Sequence, residues 1–127
     1  NLMIQKEVAN KLIYKKGFKS NRLNTFAFLR SNYKKMFDLS PNVFYPKPKV
    51  HSSFVKFTPN IKNKISTSEF QKFTRILYGK RRKKIINNLK KHIGNKIDKL
   101  KLINVNISKR PEELMLDEII KLYNLLK

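Results

Sequence analysis

The hydrophobic pattern of this chain changes its period once, at a polar stretch from Thr58 to Ile65 that contains Pro59 and has no periodicity of its own. Before it, apolar residues fall in short extended runs between short helical ones. Beyond it, they recur every three or four residues to the end. A chain that switches in this way must build two kinds of structure. The expected architecture is α/β plus all-α, with residues 1–60 forming part of a sheet and its helices and residues 61–127 a small helical domain. At 127 residues the chain is ordinary for one domain and short for two.

The first part opens inside an apolar run, Leu2-Met3-Ile4, which reads as the end of a buried, parallel-type strand through Gln5. Glu7 to Lys16 reads as a helix with Val8, Ala9, Leu12 and Ile13 on one face, closed by Lys15-Lys16-Gly17. Asn24 to Asn32 is a second helix carrying Phe26, Ala27 and Leu29. Tyr33 to Leu39 and Val50 to Phe57 are strands, predicted to pair antiparallel at a sheet edge. A buried parallel-type strand needs neighbours on both sides, so the rest of the sheet is expected upstream of Asn1.

In the second part, Ser66-x-x-Glu69 is a capping-box pattern ahead of a stripe of Phe70, Phe73, Ile76 and Leu77, ended by Gly79. Arg81 to Ile93 is the next helix, with Ile85, Ile86, Leu89 and Ile93 inward. Ile97 to Ile103 is a short helix or turn. Pro111 to Leu126 is the last helix, with Leu116, Ile119, Ile120, Tyr123 and Leu126 inside and an acidic first turn that suits the helix dipole.

Thirty Lys and Arg stand against eight Asp and Glu, a formal charge of +22. A chain rich in Lys, Asn and Ile reflects an AT-rich coding bias, but that bias raises Glu along with Lys, and Glu is scarce. Lys121 and Lys127 are the only cations after Pro111, so 28 of the thirty precede it with four of the acids. Such a surplus repels itself unless a polyanion relieves it, and RNA is the expected partner along that stretch. Nine Phe and five Tyr argue against a disordered tail. With no cysteine and only His51 and His92, disulfides and Cys-ligated zinc are excluded and no metal site is expected. No run has the length of a membrane span. The expected location is the cytoplasm or an organelle, and the expected state a monomer.

Two segments carry chemistry. In Phe44-Tyr45-Pro46-Lys47-Pro48-Lys49-Val50-His51-Ser52-Ser53, Pro46 and Pro48 stiffen the chain and hold their predecessors extended. Phe44 then sits at the mouth of a rigid segment beside Lys47 and Lys49, an arrangement suited to stacking a flipped base. The same segment also reads as a proline-rich linker with a core Phe. In Lys80-Arg81-Arg82-Lys83-Lys84, five cations stand where the helix dipole disfavours positive charge. A phosphate at the helix N-terminus, gripped by the Arg forks, would reverse that conflict, with Lys90, Lys91 and His92 extending the patch. The competing reading is a solvated face.

In order and spacing, Ile4-Gln5-Lys6-Glu7-Val8, Arg22-Leu23, Phe44-x-Pro46-x-Pro48-Lys49-Val50-x-Ser52, Arg81-Arg82-Lys83 and Asn87-Asn88-Leu89 resemble the KsgA-type family over essentially the whole chain. These are S-adenosylmethionine-dependent dimethyltransferases of adenines in small-subunit rRNA. The resemblance implies the C-terminal part of a Rossmann-like methyltransferase domain, then a small rRNA-docking helical domain. It implies that Phe44 stacks on the target adenine, that S-adenosylmethionine is held by motifs upstream, and that the partner is the small-subunit rRNA or its pre-ribosomal particle. The Phe-Pro-Pro run is shared with Erm methyltransferases of large-subunit rRNA, and mitochondrial transcription factor B proteins share the scaffold. A non-catalytic ribosome-assembly or transcription factor is therefore the alternative, with an unrelated basic ribosomal protein behind it. The chain departs from the family at Asn21, usually Gly, at Lys80, usually Gln, and at Met115, where a Ser or Thr cap is usual. The fragment alone is expected to be inactive.

Overall fold

A computed structural model describes residues 1–15, 17–60 and 64–127. Lys16 and residues 61–63, and with them part of the expected domain boundary, lie outside the described residues.

Strand β1 (Leu2–Gln5) runs directly into helix α1 (Lys6–Leu12). Helix α1 is shorter than its apolar spacing predicts because Ile13 is already extended, with φ −80° and ψ 115°. Gly17, at φ +89°, makes the following turn in a left-handed conformation that a side chain would strain. Helix α2 (Arg22–Arg30) begins two residues before its expected start. The reason is Asn21, whose side chain accepts from the Asn24 amide while the Asn24 side chain accepts from the Asn21 amide, both at 2.8 Å. The departure from glycine at this position thus supplies a cap.

Strands β2 (Ser31–Leu39) and β3 (Ser52–Pro59) pair antiparallel as expected. The sheet order is β1-β3-β2, and β1 is antiparallel to β3, with Leu2 opposite Val55 and Gln5 opposite Ser52. Strand β1 thus pairs antiparallel, where a parallel-type strand is expected. Among the described residues it has one neighbour and sits at an edge, with Leu2 and Met3 about half exposed. A bulge between Lys35 and Phe37 makes Met36 an extra residue in β2. Helix α1 covers the face carrying Val55, and Ala9 and Val55 are fully buried.

Helices α3 (Thr67–Leu77), α4 (Ile85–Ile93), α5 (Ile97–Leu102) and α6 (Leu116–Leu126) build the second half, with 3₁₀ turns at Gly94–Lys96 and Pro111–Glu113. Their apolar stripes meet in one core of Phe70, Phe73, Leu77, Ile85, Leu89, Ile93, Ile119, Leu122 and Tyr123 among others. Phe70, Phe73 and Tyr123 form a ring triangle with centroids 5.2–5.9 Å apart, each contact worth about 0.5–1.5 kcal/mol beyond area burial. Leu29 of α2 belongs to this same cluster, so α2 joins the sheet to the helices.

In the helical half one cap and two helix starts differ from expectation. The Ser66–Glu69 capping box does not form: Ser66 makes no side-chain cap, and Glu69 instead accepts from the Tyr123 hydroxyl at 3.1 Å. Helix α4 begins at Ile85 rather than Arg81, so Lys80–Lys84 form the turn before it. The last helix begins at Leu116, after the 3₁₀ turn at Pro111. At its start the Met115 amide donates to Glu118 at 2.7 Å, which keeps the half of a capping box that does not depend on the Met115 side chain.

A chain of hydroxyls joins the two halves. Tyr78, at the end of α3, lies 2.9 Å from both Ser20 Oγ and Thr25 Oγ1, and Ser20 Oγ donates to the Pro111 carbonyl at 3.0 Å. All three side chains are buried. Burial pushes the Tyr78 phenol up from its ordinary value, so it stays a neutral donor.

Candidate nucleic-acid interface

The β2–β3 connection, residues 40–51, carries the Phe44 segment. Ser40 opens it, its hydroxyl accepting from the Asn42 amide at 3.3 Å, and Pro41–Val43 make one 3₁₀ turn. The Phe44 amide closes that turn by donating to the Pro41 carbonyl at 3.2 Å. Phe44 is half-buried, whereas Tyr45 beside it is fully exposed at 101%. The Tyr45–Pro46 peptide is cis. Pro46, Lys47 and Lys49 are exposed and Pro48 is half-buried.

Strand register fixes where this segment sits. Leu39 and Gln5 both lie opposite Ser52, so the ends of all three strands meet at its base. The Lys6 amide donates to the His51 carbonyl at 2.9 Å, tying the first residue of α1 to the segment. Below it lies a polar cluster that the sequence reading did not single out. The Asp38 carboxylate accepts from Ser53 Oγ at 2.6 Å, pairs with Lys6 Nζ at 3.0 Å, and has Lys35 Nζ at 3.4 Å. These partners, the Ser53 hydrogen bond first, hold the Asp38 carboxyl down at about 2. The available signal was that Asp38 is the one acid between Glu7 and Glu69, a lone carboxylate in a lysine-rich strand. In the Gln5-Lys6-Glu7 triplet, then, Lys6 faces the strand-end cluster. Glu7 lies in the first turn of α1 and pairs with Lys11 at 2.9 Å, which lowers its carboxyl.

The second basic group is separate. Lys80, Arg81, Arg82, Lys83 and Lys84 are all exposed in the turn between α3 and α4, and among the described residues none has an acidic partner. Asn88 braces the turn, its Nδ2 donating to the carbonyls of Leu77 at 2.7 Å and Lys80 at 3.2 Å. The expected phosphate seat on the amides of α4 is not available. The Ile85 amide donates to the Lys109 carbonyl at 2.9 Å and the Ile86 amide to Ile107 at 3.4 Å. Lys80 also lines a shallow pocket of about 280 Å³ with Arg75, Asn87, Lys91 and His92. Lys91 and His92 thus extend the patch, Lys90 is not part of this pocket, and Arg75 joins from α3. No hydrogen bond or ion pair among the described residues links this turn to the Phe44 segment.

Among the described residues no group of side chains could hold a metal ion, and no helix is long and apolar enough to cross a membrane.

A family model described as ribosomal RNA adenine dimethylase matches residues 1–127. The chain is 34% identical over 126 residues to the ribosomal RNA small subunit methyltransferase A of Ehrlichia canis, covering 97% of this chain and 48% of that one. It is 37% identical over 133 residues to the protein of the same name from Mycoplasma capricolum, covering 98% and 49%. The chain therefore spans about half the length of the curated relatives it matches. Among solved structures, a dimethyladenosine transferase from Plasmodium falciparum superposes with a TM-score of 0.71 at 24% identity, over 95% of this chain and 55% of that one. The 23S rRNA methyltransferase ErmE superposes with a TM-score of 0.69 at 14% identity, over 98% and 52%. The small antiparallel sheet and its helices are thus an architecture shared with rRNA methyltransferases, and the match of the family model from first residue to last places this chain in the ribosomal RNA adenine dimethylase family.

Proposed function

We propose that this chain supplies part of the base pocket and the RNA-docking surface of an enzyme that dimethylates adenine N6 in small-subunit rRNA. In this reading residues 1–60 end a Rossmann-like methyltransferase domain and residues 61–127 are the docking domain. The observation that carries it is the position of the Phe44 segment, at the edge where three strands end and braced by Lys6, in a chain of this family. Phe44 stacks on an adenine turned out of its helix, and Pro46 and Pro48 keep the segment stiff. Lys47 and Lys49 meet the flanking phosphates. Lys80, Arg81, Arg82, Lys83 and Lys84 hold the rRNA on the helical half, and the enzyme works as a monomer on the small-subunit rRNA or its precursor particle.

S-adenosylmethionine is the methyl donor that the family implies. The described residues do not make a site for it. Gly17, Gly79 and Gly94 all lie in turns that follow helices, and the one acid at the strand ends, Asp38, is already held by three donors. No step of the transfer is assigned to these residues; their part is to bind RNA and to present the base.

The test is RNA affinity of the chain measured over a salt series, with the triple variant Arg81→Gln, Arg82→Gln, Lys83→Gln. Loss of each phosphate contact should flatten the log–log salt dependence by about 0.7–0.9 and weaken binding across RNA sequences. Unchanged affinity and slope would reduce the cluster to a solvated face.

A further inference from the structure

A groove between the end of α1 and the start of β2 adjoins the Asp38 cluster through Lys35. It holds about 620 Å³ and is lined by Ile13 and Lys15 after α1, by Phe18, and by Tyr33, Lys34 and Lys35 at the start of β2. Aromatic, aliphatic and lysine residues line it with Asn10, and no acid does. Phe18 is 69% exposed, an unfavourable place for a Phe in water. Its position is built: Gly17 at φ +89° turns the chain, and the Phe18 amide donates to the Lys15 carbonyl at 3.0 Å. Tyr33 is held edge-on against Phe57, with centroids 4.8 Å apart. Tyr33 and Lys35 share one face of β2, the face turned to Asn10 of α1. Lys35 is tethered to Asn10 and Asp38, whereas Lys15 has no ion-pair partner among the described residues.

We infer that this groove binds a single-stranded stretch of RNA, with Phe18 as a stacking platform and Lys15 on the adjoining phosphate. Exposed rings between cations suit unpaired bases, which offer a π-face whatever their sequence. A duplex buries those faces, and a protein surface would need acids opposite these lysines. The inference rests on the RNA-binding reading above and adds a contact to it. Lys35 lines the groove and also reaches Asp38 at 3.4 Å, so the groove runs along β2 up to the cluster beneath the Phe44 segment. It would hold RNA flanking the target adenine while the base pocket holds the adenine.

The experiment compares Phe18→Ala, Lys15→Gln and the Arg81-Arg82-Lys83 triple variant by fluorescence anisotropy. The probes are a single-stranded RNA oligonucleotide and a duplex of the same length, each over a salt series. Phe18→Ala should weaken single-strand binding by roughly 5- to 150-fold, leave the salt slope unchanged, and leave duplex binding unaffected. Lys15→Gln should lower the single-strand slope by about 0.7. Equal loss on single strand and duplex overturns the stacking assignment, as does no loss on either. If the groove variants bind normally while the triple variant does not, the groove falls and the docking reading stands. If all variants bind normally, both fall.

Discussion

Replacing Tyr78 by Phe tests the hydroxyl chain that joins the two halves. Each hydroxyl has one proton. Ser20 gives its proton to the Pro111 carbonyl, so Tyr78 must donate to Ser20, and Thr25 must then donate to Tyr78. Tyr78→Phe removes one donor and one acceptor. Ser20 keeps Pro111, whereas Thr25, only 2% exposed, loses its acceptor. Two hydrogen bonds at about 0.5–1.5 kcal/mol each give a loss of roughly 1–3 kcal/mol. For a chain of this length that is a fall in Tm of about 4–12 °C. Thr25→Val in the same background removes the stranded hydroxyl, so the double variant should lose about 1 kcal/mol less than the two single losses added together. Thermal and denaturant unfolding of the four proteins completes the cycle. A Tyr78→Phe protein within 0.5 kcal/mol of the parent, or strict additivity with Thr25→Val, would refute a directional chain and leave simple ring packing as the role of Tyr78.

In the complete enzyme, Phe44→Ala should lower methylation far more than RNA binding, since stacking contributes about 1–3 kcal/mol per base while the phosphate contacts remain; parallel loss of binding, activity and Tm would mean that Phe44 is only core. Asp38 is depressed to about 2, below an unfolded value of about 3.9, so its stabilisation is present above pH 4 and is lost as pH falls through 2. Asp38→Asn should therefore shallow the acid limb of the stability–pH curve, and an unaltered limb would sink the assignment. The chain by itself should neither bind S-adenosylmethionine in calorimetry nor transfer a labelled methyl group to small-subunit particles, and turnover by these 127 residues would overturn the division of labour proposed above.

The helical half was the more legible in sequence, because Phe70, Phe73 and Leu77, and Ile85, Leu89 and Ile93, repeat at helical spacing and do pack inward. Helix ends were less so, because long-range partners decide them. Glu69 leaves its own cap for Tyr123, and the first amides of α4 find carbonyls at 107 and 109. Neither partner is within reach of a local pattern. For strand β1 the apolar run records a preference for burial and says nothing of which element provides it. In the candidate site, the Phe44 segment announced itself through its prolines and the order of the surrounding motifs. Asp38, Ser53 and Lys6 meet only through the pairing of three strands, and the Phe18 groove only through a turn after α1 and the flank of β2.

The extra residue at Met36 has a consequence for how β2 works as a ruler. Counting by twos from Tyr33 through Lys35 arrives at Phe37, yet Phe37 lies across from Phe54, stacked on it at 5.2 Å, and it is Asp38 that lies across from Ser53. The strand is two rulers laid end to end with one graduation skipped between them. The first measures out the groove, and the second measures out the carboxylate beneath the Phe44 segment. Because the skip absorbs a residue, the two ends keep separate phase. A relative that lacked a residue here could still set Phe37 against Phe54 and Asp38 against Ser53, so a one-residue length change at 36 is the gap in this family that should leave both ends intact.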